Sequence, residues 1–266
     1  MEKWFPHLFF ILAVFNYSFY RLMLNPLIVA IQFLTRLPIA APIVYGESDV
    51  GKSLLYYPIV GLIIGVILSL SYTLLHNYIE GGLLAAVLLS LWVLITGALH
   101  LDGLADSADA WVGGMGDRQK TMDIMKDPRC GPMAVVVICL TLILKFTALE
   151  QILAMQHSQI LLLAPVLGRT AIIALFLSTD YVRPGGLGEY LTNALPRNTA
   201  KQVVGVVLLI VFFFDYGLWL ILASGICFFV LRMLMLNRLQ GTTGDTAGAM
   251  VEVVELGALV TMAACL

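Results

Sequence analysis

The sequence predicts an all-α, polytopic integral membrane protein, and two observations lead to this fold class: its composition and the spacing of its apolar residues. Of the 266 residues, 60% are hydrophobic and only 12% are charged, whereas soluble domains carry about 25% charged residues. The mean hydropathy is +0.94. At about 20 apolar residues per span, this content is enough for about six to eight transmembrane helices. An ordinary soluble enzyme is excluded, so function must reside in or beside the membrane.

Long apolar runs mark the individual spans. Four runs each have the length of a tilted spanning helix, namely 54–75, 83–101, 133–155 and 160–178. A further run, 203–236, is too long for one helix, and Asp215-Tyr216-Gly217 near its middle predicts a tight turn between two spans, the first of them short. The last apolar run covers 249–266.

The N-terminal segment is less regular, because Asn16, Arg21 and Asn25-Pro26 interrupt two apolar stretches. We expect residues 1–30 to form an apolar extension that spans the membrane or lies in its interface. Residues 31–266 are expected to form a single polytopic domain whose active-site loops face the cytoplasm.

The distribution of cations predicts this orientation. When the predicted spans are threaded alternately across the membrane, the turns on one side, 76–82, 155–159 and 215–217, contain no Lys or Arg. The cations on the other side are Arg36, Lys52, Arg118, Lys120, Lys126, Arg129, Arg183, Arg197, Lys201, Arg232 and Arg238. Cytoplasmic loops are enriched in such cations. We therefore expect a multi-pass membrane protein with the polar loops 102–131, 179–202 and 237–248 on its cytoplasmic side.

Charge and cysteine content indicate neither a nucleic-acid-binding protein nor a thiolate metal site. The net charge of -2 and the pI near 6.1 leave no basic surplus, so nucleic acid is not an expected partner. The four cysteines lie far apart, without the close spacing of thiolate metal sites, and we interpret them as reduced structural thiols.

A row of carboxylates follows the second apolar run. In His100-Leu101-Asp102-Gly103-Leu104-Ala105-Asp106-Ser107-Ala108-Asp109, the acids fall at i, i+4 and i+7, on one face of a helix. Stacked like charges repel, and Mg²⁺, which prefers oxygen ligands, would neutralise them. We predict that Asp102, Asp106 and Asp109 bind Mg²⁺, and that Asp102 and Asp106 act in catalysis. The alternative is a solvated acidic helix.

A second acidic group lies near the C-terminus, where Gly241-Thr242-Thr243-Gly244-Asp245-Thr246-Ala247-Gly248 precedes Glu252 and Glu255. The spacing places Asp245 and both glutamates on one helical face, and the small residues would let backbone amides approach a phosphate. We predict substrate contacts for Asp245 and Thr246, metal binding for Asp245, and a catalytic role for Glu252 or Glu255. The alternative is a flexible loop with a polar cap on the following helix.

Three cations are candidates for binding phosphate. Lys126 and Arg129 precede the third apolar run, and Arg169 lies well inside the fourth, where a guanidinium is costly unless it is paired or reaches an anion. The alternatives are interfacial snorkelling for Lys126 and Arg129 and a structural ion pair for Arg169. Lys145 and Glu150 are interpreted as packing residues or a boundary pair.

His100 stands just before the acidic row. Such a histidine is able to orient a carboxylate or to act as a catalytic acid or base.

Six stretches occur in order from about residue 31 to the C-terminus. They are Gln32-Phe33-Leu34-Thr35-Arg36-Leu37-Pro38, Tyr56-Tyr57-Pro58-Ile59-Val60-Gly61, 99–109, Ile124-Met125-Lys126-Asp127 with Arg129 and Gly131, Gly168-Arg169, and Gly244-Asp245-Thr246 with Glu252 and Glu255. Together they resemble the cobalamin synthase family, and the segment from residue 99 to 109 is the most specific of them.

This resemblance implies an adenosylcobinamide-GDP ribazoletransferase. Such an enzyme joins adenosylcobinamide-GDP to alpha-ribazole, or to its 5'-phosphate, releases GMP and requires Mg²⁺. On this expectation the three aspartates of the first row hold Mg²⁺ on the pyrophosphate and Asp245 completes the site. The three cations offset phosphate charge, and Glu252, Glu255 or His100 accepts the proton. The lipid bilayer is an expected partner, and a homo-oligomer is left open.

Two other functions compete with this expectation. A transporter coupled to ions or protons would also place acids in the membrane, but on several spans near the midplane rather than densely at one face. Another Mg²⁺-dependent membrane phosphotransferase would use the same acids, but its pattern is expected to have an Ala-Arg pair where this chain has Ala105-Asp106.

Overall fold

The computed structural model describes residues 24–39 and 46–266, and these residues form a bundle of helices. In chain order the helices are α1 Leu24–Leu34, α2 Glu47–Ser53, α3 Tyr57–Leu75, α4 Gly81–Thr96, α5 Leu99–Gly113, α6 Arg118–Ile124, α7 Pro132–Ala154, α8 Ile160–Ser178, α9 Leu187–Asn193, α10 Arg197–Phe212, α11 Gly217–Leu239 and α12 Gly244–Cys265. A short 3-10 turn, Leu54–Tyr56, joins α2 to α3.

The predicted class, an all-α polytopic membrane protein, is confirmed. Within the described residues, five helical stretches are long and apolar enough to cross a membrane, and the bent pair α4–α5 would make six. The apolar stretch 5–20 lies outside the described residues. Helix α1 runs through the predicted boundary at residue 30 and buries Ala30 and Leu34 in the core.

Several predicted spans coincide with helices. The runs 133–155 and 160–178 match α7 and α8. The predicted turn within 203–236 is also confirmed, because α10 ends at Phe212 and α11 begins at Gly217, and α10 is the short helix with 16 residues. Tyr216, in this turn, has a φ of 60°, a left-handed conformation that stops a helix.

The uninterrupted spanning helix predicted over 83–101 is wrong, because the helix breaks within this run. The chain leaves α4 after Thr96 and begins α5 at Leu99 after a bend of 86°. Gly97 and Ala98 have φ values of 61° and 57°, and two successive left-handed residues cannot continue a right-handed helix. A side chain at Gly97 would also collide with Arg36, since an added Cβ would lie 2.3 Å from its Nε.

Helix α8 is the central helix of the bundle, and 78% of its most apolar 18-residue stretch is buried. Its backbone lies against two glycines of α3: a Cβ at Gly61 would be 2.5 Å from the carbonyl oxygen of Pro165, and a Cβ at Gly65 would be 2.7 Å from the Cα of Leu162. Such close approach is typical of helix pairs in membranes. The glycines thus fix α3 on α8.

Helices α5 and α12 cross through another glycine contact. A Cβ at Gly103 would lie 2.6 Å from the carbonyl oxygen of Asp245 and 3.2 Å from the Cα of Gly248. No other residue type fits at this crossing without separating the helices. The acidic row on α5 therefore meets the first turn of α12.

The two ends of the bundle differ in polarity. At one end the rings of His157 and Tyr216 lie 5.7 Å apart, which brings two of the predicted cation-free turns together. At the other end Arg118 Nε donates to the carbonyl oxygen of Leu239 at 2.8 Å, and Arg238 Nη1 donates to Thr121 Oγ1 at 3.0 Å. The polar loops thus share one end, as predicted, whereas their cytoplasmic orientation stays a prediction.

Replacing Gly61 by alanine should lower the free energy of unfolding by about 1–3 kcal/mol, because the added methyl group overpacks the contact of α3 with α8. The midpoint of thermal unfolding in detergent measures the effect. Gly205→Ala on α10 is the matched control, since nothing lies within 4 Å of a Cβ there. Equal midpoints for the two variants would contradict the proposed packing.

Candidate active site

A cavity of about 440 Å³ lies where α5 and α12 meet. Its lining residues are contributed by five parts of the chain, α1, α3, α5, α8 and α12, together with the segment from residue 181 to 191. The polar members include His100, Asp102, Tyr181, Arg183 and Asp245. Large aromatic or aliphatic members include Phe33, Tyr57, Ile172 and Phe176. The cavity therefore combines opposite charges with aromatic surface.

The predicted acidic row lies on one helix, α5, but its members have different surroundings. Asp102 is exposed and lines the cavity. Asp106 is half-buried and lies close enough to Asp102, Asp109 and Asp245 to be repelled by their charges. Asp109 accepts hydrogen bonds from the backbone N–H groups of Gly131 (2.6 Å) and Ala134 (3.0 Å). It thus caps the N-terminus of α7 and does not line the cavity.

The first turn of α12 is a capping box. Thr243 Oγ1 accepts from the N–H of Thr246 at 3.2 Å, and Thr246 Oγ1 accepts from the N–H of Thr243 at 2.9 Å. The polar cap that the sequence left as an alternative is present, and Thr246, predicted to bind substrate, is buried within it. Asp245 lies in the same turn and faces the cavity, where the helix N-terminus favours a negative charge.

Sequence reasoning missed Arg183 and Tyr181 as site residues. Thr242 binds the loop that carries them, because its N–H donates to the carbonyl oxygen of Asp180 and its own carbonyl oxygen accepts from the N–H of Val182, both at 2.9 Å. Arg183 Nη1 then pairs with Asp245 Oδ2 at 2.7 Å. The only local signal was an Arg-Pro-Gly-Gly sequence, since the partner segments lie 62 residues apart.

Four charged residues form a buried ion network: Lys145, Arg169, Glu252 and Glu255. Lys145 Nζ donates to Glu252 Oε2 at 2.7 Å and to Glu255 Oε2 at 2.6 Å, and Arg169 pairs with the second oxygen of Glu255. All four residues are buried, and none of them lines the cavity. The structural ion pair that was the alternative for Arg169 is present, while the phosphate and catalytic roles predicted for these residues stay predictions.

The interpretation of Lys145 and Glu150 as a pair is wrong. Lys145 is bound within the ion network, whereas Glu150 lies near Gly82, where a Cβ would be 3.1 Å from its Oε1. The two side chains are five positions apart and point to different neighbours. The network could not be read from the sequence, because it joins residues 107 and 110 positions apart.

His100 connects the ion network to the cavity. It is buried and lines the cavity, and its Nδ1 lies 3.5 Å from Arg169 Nη2. A guanidinium only donates, so this contact makes Nδ1 the acceptor and leaves the hydrogen of the neutral ring on Nε2. Nε2 is buried without a hydrogen-bond partner. In this tautomer Nε2 is a donor and not a base.

The loop before α7 keeps its cations away from the cavity. Lys126 is exposed, and Arg129, whose side chain is 87% exposed, binds Asp127 through Nε at 2.8 Å. These hydrogen bonds hold the pKa of Asp127 at about 2, below its ordinary value. Neither Lys126 nor Arg129 lines the cavity. Their position therefore does not support the prediction that they bind a phosphate there.

The carboxylates predicted to hold Mg²⁺ are only partly brought together. Asp102 and Asp245 line the same cavity. Within residues 24–39 and 46–266, no group of three or more His, Cys, Asp or Glu side chains is placed to hold a metal ion. A pair of carboxylates nevertheless suits Mg²⁺, which commonly takes one or two protein carboxylates and completes its shell with water and substrate phosphates. Metal binding stays a prediction.

Fold and site together define a polytopic helical membrane protein with a charged cavity at one end of its bundle. The sequence profile of the Cobalamin-5-phosphate synthase family matches residues 26–263. The chain therefore belongs to this family, and the resemblance found in its motifs is confirmed.

Individual relatives agree with the family match. The chain is 51% identical over 242 residues to an adenosylcobinamide-GDP ribazoletransferase of Pseudomonas fluorescens (strain SBW25), covering 90% of this chain and 99% of the relative. It is 52% identical over 242 residues to the enzyme of that name from Stutzerimonas stutzeri (strain A1501), covering 90% and 97%. The relative of that name from Pseudomonas entomophila (strain L48) is 53% identical over 240 residues, with coverage of 90% and 98%. No solved structure matches the chain.

Replacing Lys145 by methionine should lower the free energy of unfolding by about 3–5 kcal/mol, because two buried carboxylates lose their shared cation. Thermal unfolding in detergent measures the change. Lys201→Met, at an exposed position of α10, serves as the control and should shift the midpoint little. If both variants unfold at the same temperature, the ion network does not stabilise the bundle.

Proposed function

We propose that this protein is an Mg²⁺-dependent adenosylcobinamide-GDP ribazoletransferase of the bacterial inner membrane, and that the cavity between α5 and α12 is its active site. One observation supports this assignment above the others. In a member of the cobalamin synthase family, two acidic segments far apart in sequence meet in one cavity, with Asp102 on α5, Asp245 on α12 and Arg183 paired with Asp245. The cavity opens among the polar loops, which on the distribution of cations face the cytoplasm.

The proposed reaction exchanges the phosphoanhydride bond of a pyrophosphate for a phosphate ester bond. A ribose hydroxyl of alpha-ribazole, or of its 5'-phosphate, attacks the phosphorus that carries adenosylcobinamide. A new P–O bond forms, the P–O bond to the GMP portion breaks, and GMP leaves with the bridging oxygen. Such transfers depend on in-line positioning and charge neutralisation more than on covalent help from the protein.

The carboxylates of the cavity supply the ligands for Mg²⁺ in this proposal. Asp102 and Asp245 would hold the ion, with Asp106 one turn further along α5 contributing negative charge. When bound, Mg²⁺ would neutralise charge on the pyrophosphate. Asp109 is assigned a structural role instead, since both of its oxygens already accept backbone N–H groups.

Proton transfer is assigned from the hydrogen-bonding capacity of each group. Glu252 and Glu255 are bound by Lys145 away from the cavity, and His100 carries its free hydrogen on Nε2. We therefore assign His100 as a donor to a phosphate oxygen in the cavity. The proton of the attacking hydroxyl passes to Asp102 or Asp245, the two carboxylates that line the cavity, through a carboxylate oxygen that does not hold Mg²⁺.

The transporter alternative has little support from the arrangement of acids. Glu252 and Glu255, the acids buried within a span, are neutralised by Lys145 and Arg169 and are not exposed along a path. The acidic row on α5 and Asp245 lie together at one end of the bundle, whereas a coupled transporter is expected to bind its ion near the midplane.

The activity is tested by incubating the purified protein with adenosylcobinamide-GDP, alpha-ribazole and Mg²⁺. Release of GMP is expected, together with a corrinoid product in which alpha-ribazole has replaced the GMP portion, and mass spectrometry distinguishes this product from the substrate. A parallel reaction with the 5'-phosphate of alpha-ribazole compares the two acceptors, and a reaction with a chelator tests the need for metal. No release of GMP with either acceptor at any Mg²⁺ concentration would contradict the proposal.

Replacing Asp102 by asparagine should lower kcat by about 100- to 1000-fold and raise the Mg²⁺ concentration that gives half-maximal rate, because one charged ligand of the cavity is lost. GMP release across a Mg²⁺ titration measures both effects. Asp215→Asn, in the turn at the opposite end of the bundle, is the matched control. A variant at residue 102 with the parent's rate and metal dependence would exclude this role.

A further inference from the structure

We propose that Arg183 is the residue that binds the pyrophosphate diester of the substrate, an assignment that rests on the proposed function. Arg183 is the only Lys or Arg among the described residues that line the cavity. The cations favoured by sequence pattern lie elsewhere, because Arg129 binds Asp127 on the surface and Arg169 is buried in the ion network.

The charges of the cavity require such a residue. Asp102 and Asp245 contribute two negative charges to the lining and Arg183 one positive charge, so the cavity alone would repel a pyrophosphate diester, which carries about two negative charges. Binding becomes favourable when a divalent cation joins the carboxylates and a guanidinium faces the phosphates. Arginine suits this task because its planar fork donates two parallel hydrogen bonds to phosphate oxygens.

Close contacts within the loop that carries Arg183 hold this residue at the edge of the cavity. Gly185 has a φ of 72° and its N–H donates to Glu189 Oε2 at 2.7 Å. Gly186 and Gly188 pack on the ring of Tyr181, where an added Cβ would lie 2.4 Å and 2.2 Å from ring or hydroxyl atoms. Larger residues would push the loop off Tyr181, so the glycines keep Arg183 at the edge of the cavity.

The contact of Arg183 with Asp245 is one that a phosphate is able to replace. The ion pair measures 2.7 Å, and the two side chains retain 29% and 20% exposure, so they are accessible from the cavity. A phosphate oxygen that takes Asp245's place on the guanidinium releases this carboxylate for Mg²⁺ or for the proton of the hydroxyl. Arg183 thereby links substrate binding to the availability of Asp245.

Kinetics of purified Arg183→Gln and Arg183→Lys variants test this assignment. The glutamine variant should raise the KM for adenosylcobinamide-GDP by about 10- to 100-fold, the effect of losing a hydrogen bond to a charged group, while the KM for alpha-ribazole changes less than about twofold. The lysine variant keeps the charge without the fork and should fall between parent and glutamine. Inorganic pyrophosphate should inhibit the parent, and the glutamine variant should need about tenfold more of it.

The controls separate this inference from the proposed function. GMP release by the parent enzyme establishes the activity first, and Lys201→Gln, an exposed cation on α10, should leave both KM values unchanged. A merely structural role for Arg183 would raise the KM of both substrates together, and that outcome would overturn the inference. An unchanged KM in Arg183→Gln, with an increase in Arg129→Gln instead, would also overturn it and would place the phosphates at the loop before α7.

Discussion

The buried ion network is the interaction on which the rest of the bundle depends. Two cations and two anions neutralise one another between α7, α8 and α12. Lys145 also lies 5.0 Å from the ring centroid of Trp92 on α4, and Arg169 contacts His100 on α5. A buried charge without its partner is strongly destabilising, so the helices can slide or rotate only at the cost of breaking the network. It thereby sets the register of α12, and with it the position of Asp245.

A second constraint acts at the crossing of α5 and α12. Gly103 and Gly248 allow the two backbones to touch, which brings Asp102 and Asp245 to the same cavity. His100 belongs to both regions, since it lines the cavity while its Nδ1 faces the network, and its Nε2 is buried without a partner. His100 thus connects the ion network, which packs the helices, to the cavity, where the reaction is proposed to occur. A substitution in the network is expected to alter the cavity even where no substrate atom is near.

The sequence predicted the fold class and most helices, because apolar runs and a turn such as Asp215-Tyr216-Gly217 are local signals. It did not predict the break at Gly97-Ala98, where two left-handed residues end the helix although the apolar run continues through them. Acidic spacing correctly placed Asp102, Asp106 and Asp109 on one helix, but it could not distinguish a cavity residue from a helix cap. The position of Arg183 in the cavity and the partners of Lys145 depend on contacts between segments far apart in sequence. Such contacts form only in the packed bundle and leave no local pattern in the sequence.

The most direct test of this account is the structure of the purified protein, determined by electron cryomicroscopy, with adenosylcobinamide-GDP and Mg²⁺. The account predicts the pyrophosphate in the cavity between α5 and α12, within hydrogen-bonding distance of Arg183, with the metal on Asp102 and Asp245. Lys145 and Arg169 should remain bound to their glutamates. Pyrophosphate bound at Lys126 and Arg129 instead, or a metal held by Glu252 and Glu255, would contradict it.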